Sequence, residues 1–331
     1  MKHTIKPVKR LSNFAVNYFF VSFFILAFLG QGLYQRAQAG ETDSQAVRGP
    51  GKKRRAEATR KRAKAKTVTR KLVKGKTMKR SVKTDAIASV ATLPGLGGTR
   101  VAAKSQRLKG AVYYLASGHG GPDPGAIGHY GKALLPEDEY AYDVTIRLAR
   151  ALMEYGATVY MIIRDPNDGI RNEKLLKLDH DEVTYPNQPI PLNQLARLRQ
   201  CTDAINRLHR KHKGAYQRMI TIHVDSRSAG QNIDVFFYHH QNSAVGKRLA
   251  QSIHRSFTAG YKRSQPGRNY LGTVSDRSAL YVVRNSQAPT VFIELGNIRN
   301  EKDQRRFLLA DNRQALANWI CEGVRADYSS R

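Results

Sequence analysis

From Leu108 to the C-terminus the sequence predicts an α/β fold: one three-layer domain, a mostly parallel sheet of about six strands with helices on both faces. Two observations predict it. Short apolar runs of strand length alternate with longer stretches whose apolar residues recur at helical spacing, and no internal repeat breaks that alternation into smaller units. In such sheets, sites lie beyond the carboxyl ends of the strands.

The elements follow in order. Val112–Ser117 closes an apolar run and reads as a buried strand. Glu139 to Tyr155 is an amphipathic helix, with Val144, Leu148 and Leu152 four residues apart and Gly156 as its stop. Ala157–Arg164 is a strand, and Asp165 to Pro191 a long polar loop rich in Asp, Asn and Pro. Leu192 to Lys213 reads as a helix, Met219–Val224 and Ile233–His240 as strands, and Ser243 to Thr258 as a helix. Ala279–Arg284 and Thr290–Leu295 are short strands, and Asp311 to Arg325 is the closing helix. Cys201 and Cys321 both fall in helices and form neither a disulfide framework nor a CxxC pair, so they read as small buried apolar residues.

Charge divides the chain further. The formal net charge of the 331 residues is +30, but Arg48 to Lys83 alone holds 17 Lys and Arg against one acid, Glu57. From Ala111 onward there are 30 Lys and Arg against 22 Asp and Glu, so the globular part is only mildly basic. Residues 40–107 therefore read as a disordered, strongly basic linker, unable to bury enough apolar surface to offset its ordering entropy. Counterion release gives it loose affinity for anionic wall or lipid polymers. It lacks aromatic residues, so bases find no stacking platform and no specific nucleic acid partner is encoded. Residues 1–39 begin with Lys2, Lys9 and Arg10, continue through the uncharged run Phe14 to Leu29, and end on Ala37-Gln38-Ala39. This is the plan of a secretory signal peptide; extended to Leu33, the apolar run also reaches the length of a membrane anchor. Either way the remainder, 108–331, is exported, to the periplasm or cell envelope, with cleavage the favoured outcome.

Three strands end in ionisable side chains. His119 follows the first, inside Gly118-His119-Gly120-Gly121, where the glycines leave the backbone free to turn and the imidazole unobstructed. His223 lies within Thr221-Ile222-His223-Val224-Asp225, and Glu294 within Val291-Phe292-Ile293-Glu294-Leu295. A glutamate in an apolar strand is costly without a charged partner such as Arg197, or a task. The acids Glu137-Asp138-Glu139 open the first long helix, where a carboxylate also suits the helix dipole. Two histidines and one carboxylate make a catalytic zinc set, and a second carboxylate outside it can act as base and acid. Asp179, His180, Asp181 and Glu182 in the polar loop have no regular metal-loop spacing and read as a solvated charge cluster.

Six motifs in this order give the stretch from Val112 to Arg325 a resemblance to the zinc-dependent N-acetylmuramoyl-L-alanine amidases of bacterial cell walls. They are GHGGPDPGAIG (118–128), an acid before a long helix, Gly156-Ala157 leading into a strand that ends at Arg164, LARLRQCTDAINR (195–207), TIHVDS (221–226) and VFIELGNIRN (291–300). The resemblance implies His119, Glu137 and His223 as ligands of Zn2+ and Glu294 as the catalytic glutamate. Ungapped counting back from Gly156-Ala157 favours Glu137, with Glu139, two residues on, as the alternative ligand. It further implies peptidoglycan as partner, and hydrolysis of the amide between N-acetylmuramic acid and L-alanine. The rival readings are a non-catalytic peptidoglycan-binding protein and a zinc peptidase or deacylase acting on a different amide. The sequence departs from the family pattern at Ala116, Asp225 and Asn297, none of them an implied ligand or base; Asp225 is expected to orient His223 or to alter substrate contacts.

Overall fold

The computed structural model describes residues 90–92 and 100–331. The signal or anchor expected over 1–39, and most of the basic segment, lie outside these residues. Among the described residues no helix is long and apolar enough to cross a membrane. Strands β1 (Val90–Thr92) and β2 (Arg100–Ala102) pair antiparallel. Val101 is buried in the main core, so packing reaches back into the stretch expected as linker, ahead of Leu108.

The chain then forms β3 (Ala111–Ser117), the hairpin β4 (Ile127–Tyr130) and β5 (Ala133–Pro136), α1 (Glu137–Glu154), β6 (Thr158–Met161) and β7 (Ile163–Arg164). Next come β8 (Val183–Thr184), β9 (Gln188–Pro189), α2 (Gln194–Lys211), β10 (Tyr216–Asp225), β11 (Phe236–His239) and α3 (Ala244–Ser264). The last elements are β12 (Thr273–Asp276), α4 (Tyr281–Asn285), β13 (Thr290–Asn297), α5 (Glu301–Leu308) and α6 (Ala310–Ser329). The main sheet has six strands in the order β12-β11-β13-β10-β3-β6. Its neighbours run parallel except β11 against β13. This is the expected three-layer α/β fold.

Alternation along the strands builds the two faces. Tyr113, Leu115, Ile220, Ile222, Val291 and Ile293 pack into the core shared with α1, α3 and α6. Val112, Tyr114, Ala116 and Met219 face α2 through Cys201, Ala204, Ile205 and Leu208. Fully burying one such large apolar side chain contributes about 1.5–3 kcal/mol. The period of two puts Thr221 and His223 of β10, and Phe292 and Glu294 of β13, on the α2 side.

Two expectations need correction. The segment Ala279–Arg284, read as a strand, is the one-turn helix α4, whose Val282 and Val283 pack on Tyr238 and Phe292. An apolar run this short carries too little periodicity to separate strand from helix. Ala157–Arg164 is not one strand: it breaks at Ile162, and β7 leaves the main sheet to pair with β8. Ile162 still donates its N–H to Leu115 O (2.7 Å), so the break redirects the chain while its last backbone bond to β3 survives.

Candidate active site

His119 lies just past the end of β3, and His223 and Glu294 face each other in register on the adjacent parallel strands β10 and β13. Glu137 is the first residue of α1, delivered there by the β4–β5 hairpin. Its N–H donates to Ala126 O (3.0 Å), while its carboxylate accepts from Ala126 N (2.9 Å) and Val224 N (3.1 Å). The side chain is thus pinned between the hairpin and β10. His223 Nδ1 lies 3.0 Å, and His119 Nε2 3.4 Å, from Glu137 Oε1. Ligating atoms of His119, Glu137 and His223 all fall within 4.8 Å of one another.

Close packing explains two of the glycines. A Cβ on Gly118 would lie 2.2 Å from His223 Nδ1, and one on Gly125 would lie 2.7 Å from both Glu137 Oε2 and His119 Cδ2. The glycines therefore make room for the site's own side chains, a more specific reason than an unobstructed turn. His119 itself has φ 64, a left-handed conformation that costs a non-glycine residue on the order of 1 kcal/mol. The His223 ring stacks on Phe292 with centroids 4.2 Å apart.

Each ionisable group feels the others. Burial disfavours charge on His119, but Glu137 and Asp123 outweigh it and hold the imidazole well above its ordinary value. Burial pushes His223 down despite Glu137. For Glu137 the two histidines overcome burial and hold the carboxyl well below the usual range. Glu294 behaves in the opposite way: burial, then the charges of Glu137 and Asp225, push its carboxyl well above the ordinary value. Its Oε2 is buried without a hydrogen-bond partner among the described residues. Arg197, the candidate neutraliser, is bonded elsewhere, to Asp123 and to Leu192 O (2.6 Å).

Glu139 does not join the cluster. It pairs with Arg171 (2.7 Å) and accepts from Asp179 N (2.9 Å). Asp225 bonds within its own turn, to Arg227 Nε (2.7 Å) and Ser226 N (2.7 Å), and does not orient His223. Asn297 organises the following turn, accepting from Arg227 N (3.1 Å) and donating to Ser228 O (2.9 Å) and Gln231 O (2.8 Å).

One functional residue escaped the sequence reading. Asp123 Oδ2 lies 2.9 Å from His119 Nδ1 and is itself held by Arg197. It is placed to fix the tautomer that leaves His119 Nε2 free to ligate. Burial opposes its charge, but His119 and Arg197 bring its carboxyl down to about 2. Its position four residues after His119 in the glycine-rich motif was the available signal. A cleft opens beside the histidines, lined by Ser117, Ile190, Gln194, Arg197, Leu198 and Val282.

A family model described as N-acetylmuramoyl-L-alanine amidase matches residues 114–326. The chain belongs to this family. A probable cell wall amidase of Staphylococcus aureus, LytH, is 26% identical over 226 residues, covering 67% of this chain and 60% of the relative. The chain thus spans less than two thirds of the length of the curated relatives it matches. Among solved structures, the N-acetylmuramyl-L-alanine amidase Ami1 of Mycobacterium smegmatis aligns with a TM-score of 0.50 at 18% identity, over 68% of this chain and 99% of Ami1. That likeness concerns the fold alone, and it matches the mostly parallel six-stranded sheet described above.

Proposed function

We propose that this family member is a zinc-dependent amidase that hydrolyses the bond between the lactyl group of N-acetylmuramic acid and L-alanine in peptidoglycan. The observation that carries the reading is the convergence of His119, Glu137 and His223 beside an unneutralised Glu294. Two imidazole nitrogens and one carboxylate oxygen fit a catalytic zinc ion, which keeps a further position open. The space that Gly118 and Gly125 leave for the ligands supports the same fit.

Bound there, zinc supplies Lewis acidity, making a water acidic enough to lose its proton near pH 7. The residues of the chain do the rest. Asp123 holds His119 in its ligating tautomer. Glu294 takes up the water's proton on its carboxylate as the amide carbonyl is attacked, then returns it to the departing alanine nitrogen. Its surroundings suit the task, since burial and neighbouring negative charge raise its proton affinity. The α2 wall of the cleft, with Gln194, Arg197 and Leu198, is where the stem peptide and glycan would rest. Export completes the reading: residues 1–39 act as signal peptide or anchor, and the basic segment 40–107 holds the catalytic domain, from 108 on, near anionic envelope polymers.

The test is turbidity loss of purified peptidoglycan with and without a chelator, followed by identification of the new amine terminus. Glu294→Gln is expected to keep its zinc and to lose roughly 10²–10⁴ in rate. Wild-type rates in that variant would refute the assigned role of Glu294. Binding without lysis by the native chain would support the non-catalytic rival, and a new terminus other than L-alanine a different amide substrate.

A further inference from the structure

The 165–191 loop gathers a second group of oxygen donors apart from His119, Glu137 and His223. Its first limb, Asp165-Pro166-Asn167-Asp168-Gly169, folds round a carboxylate: Asp165 Oδ1 accepts from the N–H groups of Asn167 (2.9 Å) and Asp168 (2.7 Å). The second limb brings up Asp179 and Asp181. Carboxylate oxygens of Asp165, Asp168 and Asp179 lie within 4.8 Å of one another, and Asp181 is tied to the first limb by the side-chain amide of Asn167.

This group lacks the countercharge it needs. Among the described residues the ion pairs reaching these four aspartates come from Arg171, which bonds Asp168 and is shared with Glu139. Asp165 is 0% exposed, and its Oδ2 has no hydrogen-bond partner; Asp179 Oδ1 is also buried without one. A buried carboxylate oxygen with neither donor nor cation is costly. Burial first, and then their charges on one another, hold the carboxyls of Asp165, Asp179 and Asp181 above the ordinary range. The sequence expectation of a solvated charge cluster fits His180 and Asp181, which are exposed, but not Glu182, which is buried, while Asp179 is half-buried against the buried Asp165.

We propose that this nest binds a hard divalent cation, calcium, which ties the Asp165–Asp168 limb of the loop to the Asp179–Asp181 limb. The donors are carboxylate oxygens; His180, the nearby nitrogen ligand, is engaged with Gly121 O (2.7 Å). An all-oxygen set of this kind disfavours zinc. Magnesium demands near-ideal octahedral geometry and gives up water reluctantly, whereas calcium accepts six to eight oxygens in irregular arrangements, water among them.

The site has a mechanical consequence. Flanking Asp181, His180 donates to Gly121 O and Glu182 accepts from Gly121 N (2.6 Å), two residues from His119. A cation fastening the limbs braces this clamp, and with it the wall beside His119. The cation site needs nothing from the amidase reading; only its effect on catalysis rests on that reading.

Terbium luminescence on the full chain, purified with its bound metal and exchanged into calcium-free buffer, tests the site. Tyr142 donates to the backbone O of Asp165 (3.4 Å), close enough to sensitise a terbium ion held there. Terbium emission that calcium displaces and magnesium does not is the expected result. In parallel, 10 mM calcium, about tenfold above a dissociation constant on the order of 10⁻³ M, raises Tm by about 3–6 °C over magnesium at equal ionic strength. The double variant Asp165→Asn, Asp179→Asn loses both responses. A wild-type chain that gains nothing from calcium and sensitises no terbium overturns the proposal, as does a double variant that responds like wild type. Because these readouts are binding alone, lost wall lysis with calcium binding intact would sink only the amidase reading.

Discussion

Replacing Gly118 with alanine tests the geometry of the proposed metal centre without removing any of its candidate ligands. The added Cβ would sit 2.2 Å from Nδ1, 2.3 Å from Cε1 and 2.7 Å from Cγ of His223, where ordinary contact begins at 3.4 Å. The ring must retreat by roughly 1 Å, several times the tolerance of about 0.2 Å on metal–ligand distances. It cannot do so freely, since it is stacked on Phe292 and its Nδ1 faces Glu137. Altering a residue that merely orients a ligand already costs ~10–100-fold in metal affinity, so displacing the ligand itself should cost at least ~100-fold. Competition for zinc against a chromophoric chelator measures this directly. Unfolding in metal-free buffer supplies the control, where overpacking alone costs about 1–3 kcal/mol and leaves a folded chain. A Gly118→Ala protein that binds zinc within twofold of wild type would refute the assignment of His223 as a ligand.

Asp123→Ala should weaken zinc binding by ~10–100-fold in the same competition, because among the described residues Asp123 alone bonds His119 Nδ1; unchanged affinity would return Asp123 to a purely structural role. Arg313 is fully buried and joins Asp143 to the carbonyls of Phe307, Arg171 (2.8 Å) and Glu173 (2.9 Å). Arg313→Ala leaves Asp143 half-paired, and urea denaturation should show a loss of about 3–5 kcal/mol. Glu182 gives a pH dependence: burial, then neighbouring acids, push its carboxyl up from 4.5 to about 7. Between those values the folded chain holds a proton that the unfolded chain has released. Stability of the metal-free protein therefore falls as pH rises from ~4.5 to ~7 and levels off above, by at most ~3 kcal/mol. Glu182→Gln, which keeps an acceptor for Gly121 N–H, should flatten that part of the slope in urea titrations at pH 5 and pH 8.

The order of the main strands and helices was legible because strands buried on both faces and amphipathic helices write different periods into the chain. Elements of four or five residues, such as β4, β5, β12 and α4, carry too few positions for either period to emerge. The hairpin was the costly omission, since it sets where Glu137 stands. At the site, His119, His223 and Glu294 stood out as ionisable residues at the ends of apolar strands. The choice of Glu137 over Glu139 has a simple geometric counterpart: two residues along a helix turn the side chain by about 200°, so one faces the histidines and the other Arg171. Asp123 offered only its four-residue spacing from His119 as a signal, and the acid nest offered none, because the roles of both depend on partners distant in sequence. Arg197 defines the first, and the meeting of the loop's two limbs defines the second.

Support for the three proposed ligands is uneven. His223 is carried by the second strand of the sheet's centre, with backbone pairing on both sides from β3 and β13. His119 hangs instead from a left-handed turn at the sheet's rim, while Glu137 is fastened to both the hairpin and β10. The centre thus has a stiff jaw and a compliant one. In the proposed site His223 would be the donor held in place by its strand, and His119 the one that adjusts. Exchange of a metal bound there should then depend on motion of the His119 turn and run faster than global unfolding.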